Sequence, residues 1–277
     1  MLFLVTGATG NIGGEVVEAL LAGGHAVRAL VRADRPAGLA AAADAVRGDL
    51  NDPASLADAL AGADGLFLLS GYADMAGIAA RAKAAGVARI VLLAGGSAIA
   101  TNTDNAVSAY MIRSEADVRD SGVPWTILRP YAFMSNALRW LDQLKTGDVV
   151  REPFATVPAA VIDPFDIAAV AAAALTTSEH EGRAYSLSGP ESLLPADRLR
   201  VLAEILGRDL RLEALSNEDA RTTMTAQMPV EYVNAFFSFY VDGTIDESTP
   251  QPTVEQILGR APRTFQHWAR THADAFR

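Results

Sequence analysis

The sequence predicts an α/β fold, a doubly wound parallel sheet with a small, mostly helical C-terminal lobe. Three observations carry this. Short apolar runs, such as Leu2-Phe3-Leu4-Val5 and Ile90-Val91-Leu92-Leu93, alternate with stretches of helical spacing through the first half. The first run passes straight into glycines at 7, 10 and 13, and then into a helical stretch, Glu15 to Leu21. After Pro130 the alternation loosens and helical stretches dominate.

In chain order, Leu2 to Val5 reads as a buried parallel strand, because it is apolar without alternation. Ala26 to Val31 is the second strand, set off by Gly23-Gly24-His25, and Ala45 to Arg47 the third, ending in Gly48-Asp49-Leu50. Pro53 to Leu60 is a helix with Asp52 as N-cap and Pro53 in its first turn. Gly65 to Leu69 and Arg89 to Leu93 are strands, separated by a helix from Met75 to Ala85 that closes at Gly86. A helix over Ser108 to Asp120 leads through Gly122-Val123-Pro124 to the strand Trp125 to Leu128. The Ala-rich pieces 39–45 and 168–174 read as helix, since alanine is the strongest helix former. Beyond Pro130, helices are expected within Tyr131 to Leu144, from Asp163 to Leu175, over Asp197 to Leu206 and Glu231 to Tyr240, and over Thr264 to Phe276. Tyr185 to Ser188 reads as a short strand. The expected division is a dinucleotide-binding domain over 1–130, with 156–188 returning to it. Residues 131–155 and 189–277 form a lobe over the carboxyl ends of the strands, where open α/β sheets bind ligands.

Composition narrows the function. The chain has 277 residues, no cysteine and a net charge of −10. Disulfides and thiolate-bound metal are excluded, and nucleic acid is not an expected partner, because phosphate binding needs a basic face. His25, His180, His267 and His272 are scattered, and the last two are five apart, off a shared helical face, so no metal site is expected. No apolar run has membrane-spanning length, and Met1 leads directly into the first strand. A cytoplasmic protein without a membrane partner is the expectation, with a homodimer open.

A strand, a glycine turn and a helix N-terminus make an anion site. The first N–H groups of the helix lack internal partners, its dipole favours negative charge, and glycine lets a pyrophosphate come close. Past the second strand stand Arg32, Asp34 and Arg35. An acid here suits the ribose 2′-hydroxyl of NAD, and a guanidinium suits the 2′-phosphate of NADP. Arg32 favours NADP(H) over NAD(H), with Asp34 as the alternative ribose ligand.

Thr6-Gly7-Ala8-Thr9-Gly10-Asn11-Ile12-Gly13, Val31-Arg32, Gly48-Asp49-Leu50 and Thr126-Ile127-Leu128-Arg129-Pro130 resemble the short-chain dehydrogenase/reductase superfamily and its Rossmann-type fold. With Ser121 to Thr126, Asp163 to Ala168 and Leu187 to Glu191, the chain more narrowly resembles the atypical NmrA-like branch, which includes NAD(P)H:quinone oxidoreductases and redox-sensing regulators. The resemblance implies that Gly7, Thr9, Gly10, Asn11 and Ile12 contact the pyrophosphate, Arg32 the 2′-phosphate, and Asp49 and Leu50 the adenine. It places Leu69, Ser70 and Ala94 along the ribose and nicotinamide, and Pro130, Tyr131 and Phe133 beside the nicotinamide.

The superfamily's catalytic pair is a Tyr followed four residues later by a Lys that lowers the phenol's pKa. Aligned on Glu115, those positions hold Val107 and Met111, neither of which transfers protons. Tyr110 lies one residue from the Lys position, about 100° round a helix, and Ser97 and Tyr131 are polar groups near the expected nicotinamide. These three are the candidate catalytic residues. Asp163 and Asp166 read as helix-capping residues rather than an acid pair. Phe236-Phe237-Ser238-Phe239-Tyr240 reads equally as lobe core and as the wall of a pocket for a flat aromatic substrate. Two functions follow: hydride transfer from NADPH to a quinone or similar flat carbonyl compound, or a non-enzymatic NADP(H) sensor acting through a partner protein. The aromatic run favours the first.

Overall fold

The computed structural model describes residues 1–33, 36, 38–100 and 103–277. Asp34 and Arg35, weighed above beside Arg32, lie outside the described residues. The first half contains β1 (Leu2–Val5), α1 (Asn11–Ala22), β2 (Ala26–Val31), β3 (Asp44–Arg47), a 3-10 turn running into α2 (Ala57–Leu60), β4 (Gly65–Leu69), α3 (Met75–Ala84), β5 (Arg89–Leu93), α4 (Ala106–Asp120) and β6 (Trp125–Pro130). The second contains α5 (Leu141–Leu144), β7 (Val149–Glu152), α6 (Pro164–Thr176), β8 (Arg183–Leu187), α7 (Pro195–Leu206), β9 (Arg211–Ala214), α8 (Asn217–Thr225), α9 (Val230–Tyr240), α10 (Thr253–Leu258) and α11 (Phe265–Thr271). No helix among the described residues is long and apolar enough to cross a membrane.

A parallel sheet of order β3-β2-β1-β4-β5-β6-β8 runs through the molecule. From β1 the chain winds outward to β3, then returns to lay β4 on the other side of β1. The turn after β1 therefore sits where the winding reverses, the place at which such sheets bind ligands. Both faces are covered, which is why the central strands β1 and β4 read as continuous apolar runs. Phe3 and Val5 face one core with Val16, Leu20 and Ile167, whereas Leu4 faces a second with Leu66, Ile78 and Val118. Each large side chain so buried contributes roughly 1.5–3 kcal/mol.

The expected caps are present. Asp52 accepts from Ala54 N at 3.1 Å and Asp163 Oδ1 from Phe165 N at 2.9 Å. Asp166 is also structural: its Oδ2 accepts from Arg263 N at 2.6 Å, and its Oδ1 lies 2.7 Å from Arg260 Nη1.

One expectation fails, and four short elements went unread. Residues 39–43 form turns rather than helix, and the strand β3 begins at Asp44. Five residues are too few to nucleate a helix on propensity alone, and burying Leu39 and Ala43 against the α1 core decides the path. The lobe holds a parallel pair, β7 with β9, joined from Val149↔Arg211 to Glu152↔Ala214. At four residues each, with charges inside them, neither carries a strand signal. The helices α8 and α10 also went unread. α8 (Asn-Glu-Asp-Ala-Arg-Thr-Thr-Met-Thr) buries little beyond Ala220 and starts on Ser216, whose Oγ accepts from Asp219 N at 3.1 Å.

Candidate functional site

Thr6 closes β1 onto β4: its N donates to Phe67 O at 3.0 Å, and its Oγ1 accepts from Leu69 N at 3.0 Å. The glycine turn then folds under Leu69. Gly7 sits at φ +62°, and a Cβ on it would stand 2.6 Å from Leu69 Cδ1. A Cβ on Gly13 would stand 2.1 Å from Gly7 O, so this glycine lets α1 pack on the turn. Gly10 differs: the one atom near a Cβ there is Gly7 O at 3.3 Å, and the rest is open space. α1 begins at Asn11 with no side-chain cap and no acid in its first turn. Uncapped N–H groups beside open backbone fit a pyrophosphate, and Thr9, Gly10 and Asn11 are exposed to receive it. Ile12 is buried in the core beneath.

One flank of the turn opens into a hollow of about 310 Å³ that also holds Glu15 and Asp163. Burial raises the pKa of both carboxyls, and Asp163 adds to the rise at Glu15. Acids repel phosphate, so the acidic part of this hollow is a poor seat for one; β2 lies beside β1 in the sheet. On that side Arg32 is exposed just past β2. Beyond it Asp49 Oδ1 accepts from Asn51 N at 2.9 Å, while the Leu50 side chain packs into the second core.

Register aligns the remaining strand ends. Leu69 pairs with Leu93, and Leu93 with Leu128, so Ser70, Ala94 and Arg129 follow side by side at one edge of the sheet, with Pro130 one residue further on. Ser70 Oγ donates to Met111 Sδ at 3.1 Å, and the Met111 methyl lies 3.3 Å from where a Gly95 Cβ would stand. The position the superfamily gives to Lys thus faces the strand ends and holds a thioether. Tyr110 lies with its ring against Gly71, the residue after Ser70. Burial, and then Tyr232, raise its pKa. Ser97 is buried in the turn after β5. The Arg129 of the strand-end motif is structural: Nε and Nη2 donate to the two Glu115 oxygens at 2.7 and 2.6 Å, fastening β6 to α4.

Tyr131 is 9% exposed, and burial raises its pKa, keeping the phenol protonated. Phe133 follows, packed against the α1 core. Over these residues passes a strap that sequence reasoning missed. Glu247 Oε2 accepts from Ala132 N at 3.1 Å, Glu247 O accepts from Ala160 N at 2.7 Å, and Gln251 N donates to Ser188 Oγ at 2.7 Å. Glu247 Oε1 lies 2.7 Å from where a Gly96 Cβ would be. Burial pushes the Glu247 carboxyl up to about 7. No local pattern marks this residue, because its partners are 87 to 151 positions away in sequence.

From Ala132 a cavity of about 250 Å³ opens into the lobe. Its wall is Phe154, Met224, Met228, Phe236 and Tyr240, with Arg139, Glu152 and Arg198 at a charged end. The aromatic run thus divides by helical spacing. Phe237 and Phe239 are buried, while Phe236 and Tyr240, four apart and stacked at 6.3 Å, face the cavity. Asn105 ties this helix to the first half: its Oδ1 caps α4, and its Nδ2 donates to Ala235 O at 3.1 Å.

A protein-family model described as NAD(P)H-binding matches residues 7–178. The chain is 40% identical over 282 residues to the (4-alkanoyl-5-oxo-2,5-dihydrofuran-3-yl)methyl phosphate reductase of Streptomyces griseus, covering 99% of each. It is 33% identical over 290 residues to the NAD(P)H azoreductase of Xenophilus azovorans, again covering 99% of each. It shares the fold of the NADPH-dependent quinone oxidoreductase of Escherichia coli in complex with NADPH, at a TM-score of 0.78 and 24% identity, over 98% of this chain and 99% of that one.

Proposed function

Because the chain belongs to the NAD(P)H-binding family, in the NmrA-like branch of the atypical short-chain dehydrogenase/reductases, and is an NAD(P)H-dependent oxidoreductase, we propose that it prefers NADPH and reduces a flat, conjugated acceptor, a quinone or similar carbonyl compound. One observation carries the reading. The row of strand ends from the glycine turn to Tyr131 continues into an apolar, aromatic cavity, so a cofactor on the first would meet a planar ligand in the second. The names of the relatives agree: a dihydrofuranone, an azo compound and a quinone each offer an electron-poor π system.

NADPH, when bound, supplies the hydride. The protein's residues do the rest. Thr9 to Ile12 and the uncapped α1 hold the pyrophosphate, and Arg32 receives the 2′-phosphate. Phe236 and Tyr240 set the plane of the acceptor. Met111 keeps water and charge from the strand ends but moves no proton. The acceptor gains a hydride and a proton, and Glu247, which carries a proton about half the time near neutral pH, stands beside Tyr131 to provide it.

The test is NADPH and NADH oxidation with a panel of quinones and azo dyes. Turnover with NADPH and several planar acceptors supports the reading. Tight NADPH binding with no turnover on any acceptor defeats it and favours a dinucleotide sensor.

A further inference from the structure

The lobe cavity has a charged end that reduction of a neutral quinone does not need. Glu152 is 1% exposed, and both its oxygens are engaged, Oε1 by the Arg139 guanidinium and Oε2 by Trp140 Nε1 at 2.9 Å. Arg198, only 5% exposed, lines the same end. Among the described residues its side chain makes no ion pair and no hydrogen bond, and its Nε is buried without a partner. Its guanidinium stands over the Trp140 ring, 5.8 Å from the centroid. Burial, and then the neighbouring Arg139, lower its pKa to about 10, so it stays charged at neutral pH. Glu152 is paired with the half-exposed Arg139, and among the described residues no carboxylate lies within ion-pair distance of the buried Arg198.

An uncompensated cation in an apolar wall is costly, and a methionine would fill the same space without that cost. Buried polar groups without partners need a reason. A ligand anion provides one: once it displaced solvent from the cavity it would meet Arg198 in a lowered dielectric, where the attraction is strengthened. The cavity runs from Ala132, beside the strand ends, to Arg198. A ligand with its reducible ring near Tyr131 can extend its other group to that arginine.

We propose that Arg198 binds an oxyanion, and that the acceptor carries a phosphate or carboxylate on the same molecule as its reducible ring. The proposal rests on the reductase reading above for the ring, and on the lobe cavity alone for the anion.

Calorimetric titration of the full chain with phenyl phosphate, benzoate and benzyl alcohol separates the two oxyanion sources from a neutral control. At least one anion should bind roughly tenfold or more tightly than the alcohol, weakening with salt. Arg198→Met should cut the anion's affinity roughly ten- to a hundredfold, while its melting temperature holds or rises as the buried charge is removed. A carboxyl- or phosphate-bearing naphthoquinone should be preferred over naphthoquinone in kcat/KM, and Arg198→Met should lower that ratio by a similar factor. Equal affinity for the three probes in the wild-type protein overturns the proposal, and that comparison needs no variant. Anion binding unchanged in Arg198→Met also overturns it. Reduction of neutral quinones by a protein that ignores the anions removes this inference and leaves the reductase reading standing. Arg198-dependent anion binding without turnover of any acceptor removes the reductase reading and leaves the anion site.

Discussion

Gly13 is pressed against Gly7: a Cβ on the first would lie 2.1 Å from the carbonyl oxygen of the second, a contact no side chain can occupy. Gly10, three residues away, meets the same oxygen at 3.3 Å and otherwise faces open space. The two glycines therefore serve different purposes, one the fold and one the ligand, and substitutions should separate them.

Gly13→Ala should destabilise the protein by about 1–3 kcal/mol or more, as overpacking does, measured by denaturant unfolding. Gly10→Val should cost about 1 kcal/mol or less by the same measure, because its extended backbone (φ −89°, ψ 172°) suits valine. It should nonetheless abolish dinucleotide binding in calorimetry. Unchanged NADPH affinity in Gly10→Val would show that the turn does not receive the pyrophosphate.

Arg32→Ala should weaken NADPH far more than NADH. A charge-assisted contact is worth roughly 1.5–3 kcal/mol, and each 1.4 kcal/mol is about tenfold in affinity, so NADPH should lose on the order of ten- to a hundredfold. Dissociation constants for both cofactors at one salt concentration check this. Equal loss for both would move Arg32 to the shared half of the dinucleotide.

Glu247 should make stability fall as pH rises. Its carboxyl titrates near 4.5 when free and at about 7 in the folded chain. Between those values the folded state keeps a proton that the unfolded state has released, so stability declines across that window and is level outside it. The full shift corresponds to about 3 kcal/mol, less for the solvent that Glu247 retains. Glu247→Gln should be more stable than wild type at pH 8 and equal to it near pH 4. Unfolding curves at both pH values decide the matter.

The two sides of α9 should respond differently. Phe239→Ala, at a buried position, should cost about 3–5 kcal/mol of stability. Phe236→Ala, on the cavity wall, should cost less and instead raise KM for planar acceptors. A stability loss at Phe236 as large as at Phe239, with KM unmoved, would return the whole aromatic run to the core.

The first half was legible because its signals are local. Leu2 to Val5, Ala26 to Val31, Gly65 to Leu69 and Arg89 to Leu93 have the bounds read from the sequence, since strands covered on both faces are mostly apolar, Arg28 and Arg89 being the charges among them. The glycine turn was legible for the same reason. Residues 39–43 were misread because alanine propensity is weak beside the burial of Leu39 and Ala43. The strands β7 and β9 pair across about sixty residues, and nothing inside either announces the other. Arg139, Arg198 and Glu247 were missed as site residues because only tertiary packing brings them to the cavity and the strand ends. At those positions the local sequence looks like any solvated helix face or loop.

The hydrogen bond from Ala132 to Glu247 spans 115 residues, and this has a consequence for how the protein is made. Translation proceeds at roughly 5–20 residues per second, so that interval takes on the order of ten seconds. During it, β1 to β6 already exist as chain, the core that α1 shares with α6 and β8 is still being completed, and the Ala132 N–H has no partner from Glu247. The sheet can therefore complete its core on α6 and β8 before the strap at Glu247 exists to close over Ala132.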